Sequence, residues 1–294
     1  MVSEVARAVA EGRPVVALES SVLAQGLPIP ANREAAERMV RAVRSRGAVP
    51  AITAVARGIP TVGMETADLE RFLKRDGVRK VSARDIPIAV ASGVDGATTV
   101  AASIALASLG GLDVFATGGI GGVHRGAPVD ESADLLELSR TLIICVCAGA
   151  KSILDLPATW ERLETLGIPV VGYRTDELPG FFTASTGIKL TARADSAAEI
   201  ARMFEAHSRL GRPQALLVVN PLPSDHALGR GEVDRAVNQA LADAKRAGIG
   251  GAALTPYLLE SVAKVTGGTS LPANLALLES NAAVAAEIAA AMRA

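Results

Sequence analysis

Residues 142–152 read LIICVCAGAKS, an apolar run that ends in small residues and a lysine. Residues 142–146 are apolar at every position, which is typical of a strand buried on both faces in the middle of a parallel sheet. Cys145 and Cys147, the two cysteines of the chain, fall in this run. Their spacing suits neither a disulfide nor a zinc knuckle, so we predict buried thiols in a reducing compartment.

Similar short runs recur on both sides of this stretch and alternate with longer helical patterns. Strands are predicted at residues 15–18, 49–55, 114–116, 142–146, 170–172 and 215–219. Helices are predicted at residues 32–46, 98–109, 132–140, 157–166, 197–210 and 232–247. This alternation favours an α/β fold, a three-layer α/β/α sandwich with a central mixed, mostly parallel sheet, in which residues 58–64 form an antiparallel hairpin arm. No linker or repeat divides the chain, so we predict a single domain over residues 1–294.

The composition excludes several classes of protein. The 294 residues are 49% hydrophobic, and 30 Lys and Arg against 31 Asp and Glu give a net charge of -1. Without a charge excess, neither nucleic acid nor a membrane surface is an expected partner. No apolar run reaches the roughly 18 residues that span a bilayer, and the first residues lack a signal-peptide pattern, so we expect a cytoplasmic protein. Residues 274–294 are apolar enough to pack on the core or on another subunit.

Polar residues stand directly after three of the predicted strands. Glu19 follows the first strand, Thr117 opens a glycine-rich loop, and Lys151 follows the apolar run. Ligands of open α/β sheets bind at the carboxyl ends of strands, so we expect these three ends to form one crevice. A partly desolvated lysine there either provides a neutral amine that attacks carbonyl carbons or binds a phosphate. Glu19 suits a general acid or base, or a structural cap or ion pair.

The glycine-rich loop at residues 118–126 matches no common phosphate-binding motif. Counted from Gly119, His124 stands where a dinucleotide fingerprint needs its third glycine. Ala150 separates the glycine and the lysine that a P-loop keeps adjacent. A Rossmann dinucleotide site and a P-loop NTPase are therefore not expected. Five glycines with His124 and Arg125 are still more than a simple turn requires, so a local anion site is an open interpretation.

Several separate blocks of sequence together resemble one family. They are VALESS at residues 16–21, KVSARD at 80–85, GATTV at 96–100, FATGGIGGVHRG at 115–126, SADL at 132–135, VCAGAKSILD at 146–155, NPLP at 220–223, TPYLL at 255–259 and Asn274. On these blocks the chain resembles the pseudouridine-5'-phosphate glycosidase family, also called indigoidine synthase A-like, over nearly its whole length. Two departures concern loop geometry: the segment between Arg125 and Ser132 is slightly shorter than in some relatives, and Ser21 stands where threonine is common.

The resemblance implies a reversible cleavage of the carbon–carbon glycosidic bond of pseudouridine 5'-phosphate to uracil and ribose 5-phosphate. Uracil would leave this bond as a poorly stabilised carbanion, so the reaction needs an electron sink on the sugar. An amine bonded to C1' of a ring-opened ribose becomes that sink as an iminium, while uracil C5 gains a proton. The family match makes Lys151 the Schiff-base nucleophile and Glu19 the acid/base.

The same match implies a set of binding residues and a metal. Those expected around the 5'-phosphate are Lys80, Thr117, His124 and Ser132, and those expected to hold the base or ribose are Thr99 and Asn274. By its position alone Asp134 is typical of a first-turn helix carboxylate. The resemblance implies instead that Asp134 binds one Mn²⁺ per subunit, largely through waters. It also implies a homotrimer.

Two other functions compete with this one. Another Schiff-base sugar-phosphate lyase, such as an aldolase-like enzyme, would use Lys151, Glu19 and a phosphate loop equally well. A non-catalytic sugar-phosphate-binding protein is the second alternative. The presence of both Lys151 and Glu19 argues against it, because simple binding does not need this pair.

Overall fold

The computed structural model describes residues 1–126, 130–249 and 254–293, and its strands form one sheet. The strands are β1 Val15–Leu18, β2 Val49–Ala56, β3 Ile59–Val62, β4 Arg79–Val81, β5 Gly96–Thr98, β6 Val114–Ala116, β7 Ile144–Cys147, β8 Val170–Tyr173, β9 Arg193–Ala194 and β10 Leu216–Val219. Half of the shortened loop between Arg125 and Ser132, namely residues 127–129, lies outside the described residues.

Eleven α-helices lie in the described ranges. They are α1 Ser3–Ala10, α2 Ala31–Arg44, α3 Thr66–Lys74, α4 Ile86–Ala91, α5 Val100–Leu109, α6 Ala133–Arg140, α7 Leu156–Thr165, α8 Ala197–Arg209, α9 Arg230–Arg246, α10 Leu254–Val265 and α11 Ser270–Ala291. A π-helical turn spans Val22–Gly26. None of the described helices is long and apolar enough to span a bilayer.

The strand order is β4-β5-β2-β1-β6-β7-β10-β8-β9, and β3 also pairs with β2. All neighbouring pairs are parallel except β2 with β3 and β2 with β5. The predicted mixed, mostly parallel sheet is therefore confirmed, as is the antiparallel arm. The apolar run predicted as a strand at residues 142–146 forms β7, which lies between β6 and β10.

Helices cover the sheet, which explains why its central strands are buried along their whole length. Every residue of β1, β6, β7 and β10 is buried. The long apolar α11 packs across β1, β6 and β7 beside α2 and α8, while α5 packs on α6 and against β1, β2 and β6. The three-layer prediction is confirmed. Helix α11, in the C-terminal stretch, packs on the core of its own chain, which is one of the two arrangements expected for residues 274–294.

Some predicted boundaries were wrong, for reasons of strand pairing. β7 begins at Ile144 rather than at residue 142, because both neighbouring strands first pair with Ile144. The helix predicted from residue 98 begins at Val100, because Thr98 ends β5 and Thr99 caps the helix. Both cysteines are buried and unbonded, as predicted.

Candidate active site

Three strand ends meet at one edge of the sheet, as predicted. β1, β6 and β7 are parallel neighbours, so the residues that follow them come together. Glu19, the loop that begins at Thr117, and Lys151 occupy these positions. A cavity at this edge is lined by Glu19, Ser21, Val22, Gln25, Gly26, Lys80, Gly118, Gly119, Lys151, Phe181, Leu259 and Asn274. Four of the predicted site residues, Glu19, Lys80, Lys151 and Asn274, therefore face one space.

Glu19 is a buried carboxyl group held by a hydroxyl. It is 5% exposed, and its Oε1 accepts a hydrogen bond of 3.0 Å from Thr117 Oγ1. Ser21 Oγ donates more weakly to Oε2 at 3.4 Å. Burial raises the pKa of Glu19, and the positive charge of Lys151 opposes this effect. A raised pKa favours the protonated form of the carboxyl group, which is the form that a general acid needs.

Lys151 lies on a loop that is fixed to the glycine-rich loop by backbone hydrogen bonds. Its N–H donates to Ile120 O at 3.1 Å, and the N–H of Ile120 donates to Gly149 O at 3.1 Å. The Lys151 side chain is half-buried and lines the cavity, and it forms no direct ion pair with Glu19. Lys151 and Glu19 therefore line the same cavity without forming an ion pair with each other.

Lys80 reaches the cavity from β4 at the edge of the sheet. The N–H of Thr99 donates to Val81 O at 3.0 Å, which joins the end of β4 to the start of α5. The pKa of Lys80 is lowered, first by loss of hydration and then by the charge of Lys151. Because the Lys80 side chain remains open to solvent, water screens part of this effect. Two cations facing one cavity make it suitable for an anion.

The glycines of this edge allow segments of backbone to pack closely. A Cβ added to Gly119 would lie 2.7 Å from Phe181 Cε2 and 3.0 Å from Gly149 O. Gly149 itself has a φ of 84°, a conformation that favours glycine. The absence of side chains here is thus explained by packing, and it also lets Gly118 and Gly119 line the cavity.

Asp134 joins two parts of the site. It is 6% exposed, its Oδ1 accepts from the N–H of Ala101 at 3.0 Å, and its Oδ2 accepts from the N–H of Gly121 at 2.8 Å. Ser132 caps α6 by accepting from the N–H of Asp134 at 3.2 Å. The carboxylate therefore ties the first turn of α5 to the glycine-rich loop. It does not line the cavity that holds Lys151.

The remaining predicted residues lie around the cavity rather than in its lining. Thr117 is buried, and its hydroxyl donates to the Glu19 carboxyl group. Thr99 is the N-cap of α5. The His124 ring is 14% exposed, and its Nδ1 lies 3.2 Å from Asp130 Oδ1 without hydrogen-bond geometry.

Other lining residues were not identified from the sequence. Gln25 and Leu259 line both this cavity and a larger one beside it, which Asn274 also borders. Phe181 has a φ of 66° and stacks edge-on against Phe182 with ring centroids 4.6 Å apart. A pair of adjacent aromatics in a chain with few aromatics was an available signal, and Leu259 ends the TPYLL block of the family resemblance, although no role was predicted for it. A third cavity, lined by Arg125, Ser152, Asp155 and Arg230 among others, contains neither Glu19 nor Lys151.

Comparison with known proteins identifies the family. A sequence model described as indigoidine synthase A like protein matches residues 4–291. The chain belongs to the indigoidine synthase A-like family. It is 64% identical over 290 residues to a protein of Gemmatimonas aurantiaca named pseudouridine-5'-phosphate glycosidase, covering 99% of this chain and 95% of that protein. A protein of the same name from Herpetosiphon aurantiacus is 52% identical over 291 residues, covering 98% and 96%.

Solved structures of the family have the same fold. The prealnumycin C-glycosynthase AlnA in complex with ribulose 5-phosphate is 43% identical, with a TM-score of 0.92 over 99% of this chain and 95% of that one. An indigoidine synthase A-like protein from Thermotoga maritima is 38% identical, with a TM-score of 0.91 over 97% and 94%. These matches confirm both the predicted family and the predicted fold.

Proposed function

We propose that the protein cleaves the carbon–carbon glycosidic bond of pseudouridine 5'-phosphate to give uracil and ribose 5-phosphate, in a reversible reaction. The observation that carries this proposal is that Glu19 and Lys151 face one cavity without pairing with each other. The names of the relatives support the substrate. The bond to be broken joins two carbons, so the site must supply an electron sink and a proton.

Lys151 supplies the electron sink. Its neutral Nζ forms a bond to C1' as the C1'–O4' bond breaks and the ribose ring opens, and the nitrogen then loses a proton. The nitrogen lone pair next forms the iminium as the C1'–C5 bond breaks. The bonding electrons move to uracil C5, which takes up a proton. Water adds to the iminium and releases ribose 5-phosphate and the free amine. Half-burial of the Lys151 side chain limits its hydration, which favours attack.

Glu19 moves the protons. As a buried carboxyl group with a raised pKa, it can donate to the ring oxygen O4' when the ribose opens. The resulting carboxylate is stabilised by the Thr117 hydroxyl at 3.0 Å and by the positive charge that develops on the Lys151 nitrogen as the amine bonds to C1'. A proton for uracil C5 can then pass through the same carboxyl group. One residue thus acts as acid and base in successive steps.

The remaining predicted residues bind the rest of the substrate. Lys80 provides a cation for the 5'-phosphate, and the donors proposed with it are the Ser132 hydroxyl and the His124 ring. The Thr117 hydroxyl donates to Glu19, so the role proposed for Thr117 is exerted through that carboxyl group. Asn274 is 9% exposed and lines the cavity from α11, where its amide can pair with a uracil edge. Thr99, at the start of α5, is proposed to contact the base or ribose.

We propose one Mn²⁺ per subunit as cofactor. No group of three His, Cys, Asp or Glu side chains suited to a metal occurs in the described part of the chain. A hard ion that keeps most of its waters needs only one or two carboxylates and the substrate phosphate. Asp134 has the right chemistry, although both its oxygens already accept backbone N–H groups. Asp130 is more accessible, with a side chain that is 46% exposed. When bound, the ion would neutralise phosphate charge.

The metal proposal is tested by thermal unfolding with and without Mn²⁺ and ribose 5-phosphate. We expect the ion to raise the Tm of the wild type and not that of the variant that lacks its ligand. Loss of the Tm shift in Asp134→Asn supports Asp134 as the metal ligand. Loss of the shift only in Asp130→Asn identifies Asp130 as the ligand instead. No shift in the wild type, with ribose 5-phosphate present, would remove the ion from the proposal.

The reaction is tested by incubating the protein with pseudouridine 5'-phosphate and measuring uracil and ribose 5-phosphate by chromatography. Samples with Mn²⁺ and with chelator are compared. We expect both products from the wild type and none above background from Lys151→Ala. Lys245→Ala, which changes an exposed lysine of α9, is the matched control and should retain activity. Release of neither product by the wild type in either sample contradicts the proposed function.

A second candidate reaction is synthesis of a different C-glycoside or another Schiff-base cleavage of a sugar phosphate. The 43% identical C-glycosynthase, whose structure contains ribulose 5-phosphate, favours the synthetic direction. Incubation with ribose 5-phosphate and either uracil or another aromatic acceptor separates these reactions. Product formation with uracil and not with the other acceptor supports the glycosidase. Product only with another acceptor supports the alternative.

We also propose that the protein is a cytoplasmic homotrimer. Large apolar side chains such as Ile59 and Ile88 are exposed on the single chain, by 66% and 62%. Light scattering on the purified protein should give about three times the 30.1 kDa of one chain. A monomer mass at micromolar concentration contradicts the trimer.

A further inference from the structure

A buried asparagine of α11 fixes the loop that follows β6. Asn281 is fully buried, and its Nδ2 donates to Thr117 O at 2.8 Å and to Gly118 O at 3.3 Å. Its Oδ1 accepts from Asn220 Nδ2 at 3.0 Å. The Asn281 amide therefore has partners for both its donor and acceptor groups, which an apolar residue of the same size could not satisfy.

The two carbonyl groups that Asn281 binds belong to the site. Thr117 carries the hydroxyl that donates to Glu19, and Gly118 lines the cavity beside Lys151. The carbonyl of Gly118 also accepts from the N–H of Ala148 at 2.9 Å. Asn281 thus holds the backbone that follows β6, the strand between β1, which Glu19 follows, and β7, which precedes Lys151.

Asn220 orients Asn281 from the other side. Asn220 follows β10, its N–H donates to Cys147 O at 2.8 Å, and its Nδ2 also donates to Ser280 Oγ at 3.0 Å. A continuous chain of hydrogen bonds therefore runs from the end of β10 through Asn220, Asn281 and Thr117 to Glu19. Asn274, which lines the cavity, lies two helical turns before Asn281 and so on the same side of α11.

We propose that Asn281, oriented by Asn220, is a positioning residue that sets the Thr117 hydroxyl on Glu19 and so the direction in which Glu19 delivers its proton. This inference rests on the proposed function for the role of Glu19. It predicts an effect on catalysis through Thr117 and not through direct contact with substrate. The Asn281 amide is occupied by Thr117, Gly118 and Asn220, so Asn281 acts on the site through backbone groups that it holds and not by contact with the substrate.

The test compares Asn281→Leu with Thr117→Val and the double variant. We expect each single variant to lower kcat about 10- to 100-fold with little change in KM, because misplacing a catalytic group by a small distance costs this much. The double variant should be no slower than the slower single variant, because both changes remove the same hydrogen bond to Glu19. Additive losses would overturn the proposal.

A pH profile separates positioning from a general loss of structure. The Thr117 hydrogen bond lowers the pKa of Glu19, so its loss should move the Glu19 limb of the rate profile to higher pH. The charged groups facing Glu19, namely Lys151, Lys80 and Asp134, are unchanged in Asn281→Leu. The same shift is expected in Thr117→Val and not in Thr117→Ser, which keeps the hydroxyl. An unchanged limb in Asn281→Leu contradicts the proposal.

Asn32→Leu is the matched control for stability. Asn32 is also buried, and its Nδ2 also donates to two backbone carbonyl groups, those of Leu23 at 3.0 Å and Leu73 at 2.9 Å. We expect it to destabilise the fold without moving the Glu19 limb. A shift of that limb in Asn32→Leu would show that the profile reports stability and would overturn the proposal. If Asn281→Leu does not fold, Asn220→Ala replaces it with the same expected shift, and an unchanged limb there counts against the proposal.

A readout without turnover distinguishes this inference from the proposed function. The difference in unfolding free energy between a protein and its Glu19→Gln derivative, measured against pH, reports the titration of Glu19. We expect this curve to move to higher pH in Asn281→Leu. If the wild type cleaves no pseudouridine 5'-phosphate, the proposed function fails, while this curve still decides the positioning role.

Discussion

Asp134 accepts two backbone hydrogen bonds from separate parts of the fold, so its replacement should cost stability in the absence of any ligand. The donors are Ala101 in the first turn of α5, at 3.0 Å, and Gly121 in the glycine-rich loop, at 2.8 Å. A donor left unsatisfied inside a protein costs about 1–3 kcal/mol. Asp134→Ala removes the acceptor for both, so we expect a loss of about 2–6 kcal/mol. Asp134→Asn keeps one acceptor oxygen and should lose about half as much.

Urea denaturation with chelator and without substrate measures this loss. Asp130→Ala is the matched control, because its side chain is 46% exposed and should change stability by less than about 1 kcal/mol. An Asp134→Ala protein within about 0.5 kcal/mol of the wild type would refute the structural account of this carboxylate. In that case the two backbone contacts would contribute nothing, and ligand binding would be the main role left for Asp134.

Three further changes test other parts of the site. Glu19→Gln should lower kcat about 10²- to 10⁴-fold. Because burial raises the pKa of Glu19, the unfolding free energy of the wild type should fall as pH rises through that pKa, whereas that of the variant should not. In urea denaturation the two proteins should therefore be equally stable in acid, and the variant should become the more stable one as pH rises. A difference in unfolding free energy between the two proteins that is the same at every pH contradicts this prediction. Lys80→Ala should raise KM about 10- to 100-fold with a small change in kcat, which steady-state kinetics checks; a fall in kcat alone would exclude phosphate binding. Gly119→Ala places a Cβ 2.7 Å from Phe181 and should cost about 1–3 kcal/mol in urea denaturation, whereas Gly229→Ala meets no atom within 4 Å and should cost much less.

The central strands were predictable because their burial is visible in the sequence. Two of them, Val15–Leu18 and Val114–Ala116, were predicted with their observed bounds. The short strands β4, β5 and β9, of which β4 and β9 lie at the edges of the sheet, have only two or three residues each and little apolar content, so their pairing depends on neighbours rather than on their own sequence. Gly96 of β5, for example, fits because its missing side chain leaves room for Val81 and Val55.

Sheet topology predicted part of the site, and the family resemblance supplied Lys80 and Asn274, which also line the cavity. Glu19 and Lys151 were found because polar residues at the ends of buried parallel strands face a common edge. Gln25, Phe181 and Asn281 reach that edge from other segments, and their proximity depends on tertiary packing. Asn281 did carry a signal, since an amide within an alanine- and leucine-rich helix requires a polar partner. The identity of that partner depends on how α11 packs against the loop after β6, which the residue pattern of the helix does not encode.

Trapping of the covalent intermediate tests the central claim most directly. The wild type is mixed with ribose 5-phosphate, reduced with borohydride, digested and analysed by mass spectrometry. A Schiff base at Lys151 predicts a reduced sugar-phosphate adduct on the peptide that contains Lys151, and no adduct in Lys151→Ala. An adduct on Lys80 instead, or no adduct on any lysine of a protein that releases uracil, would contradict the account.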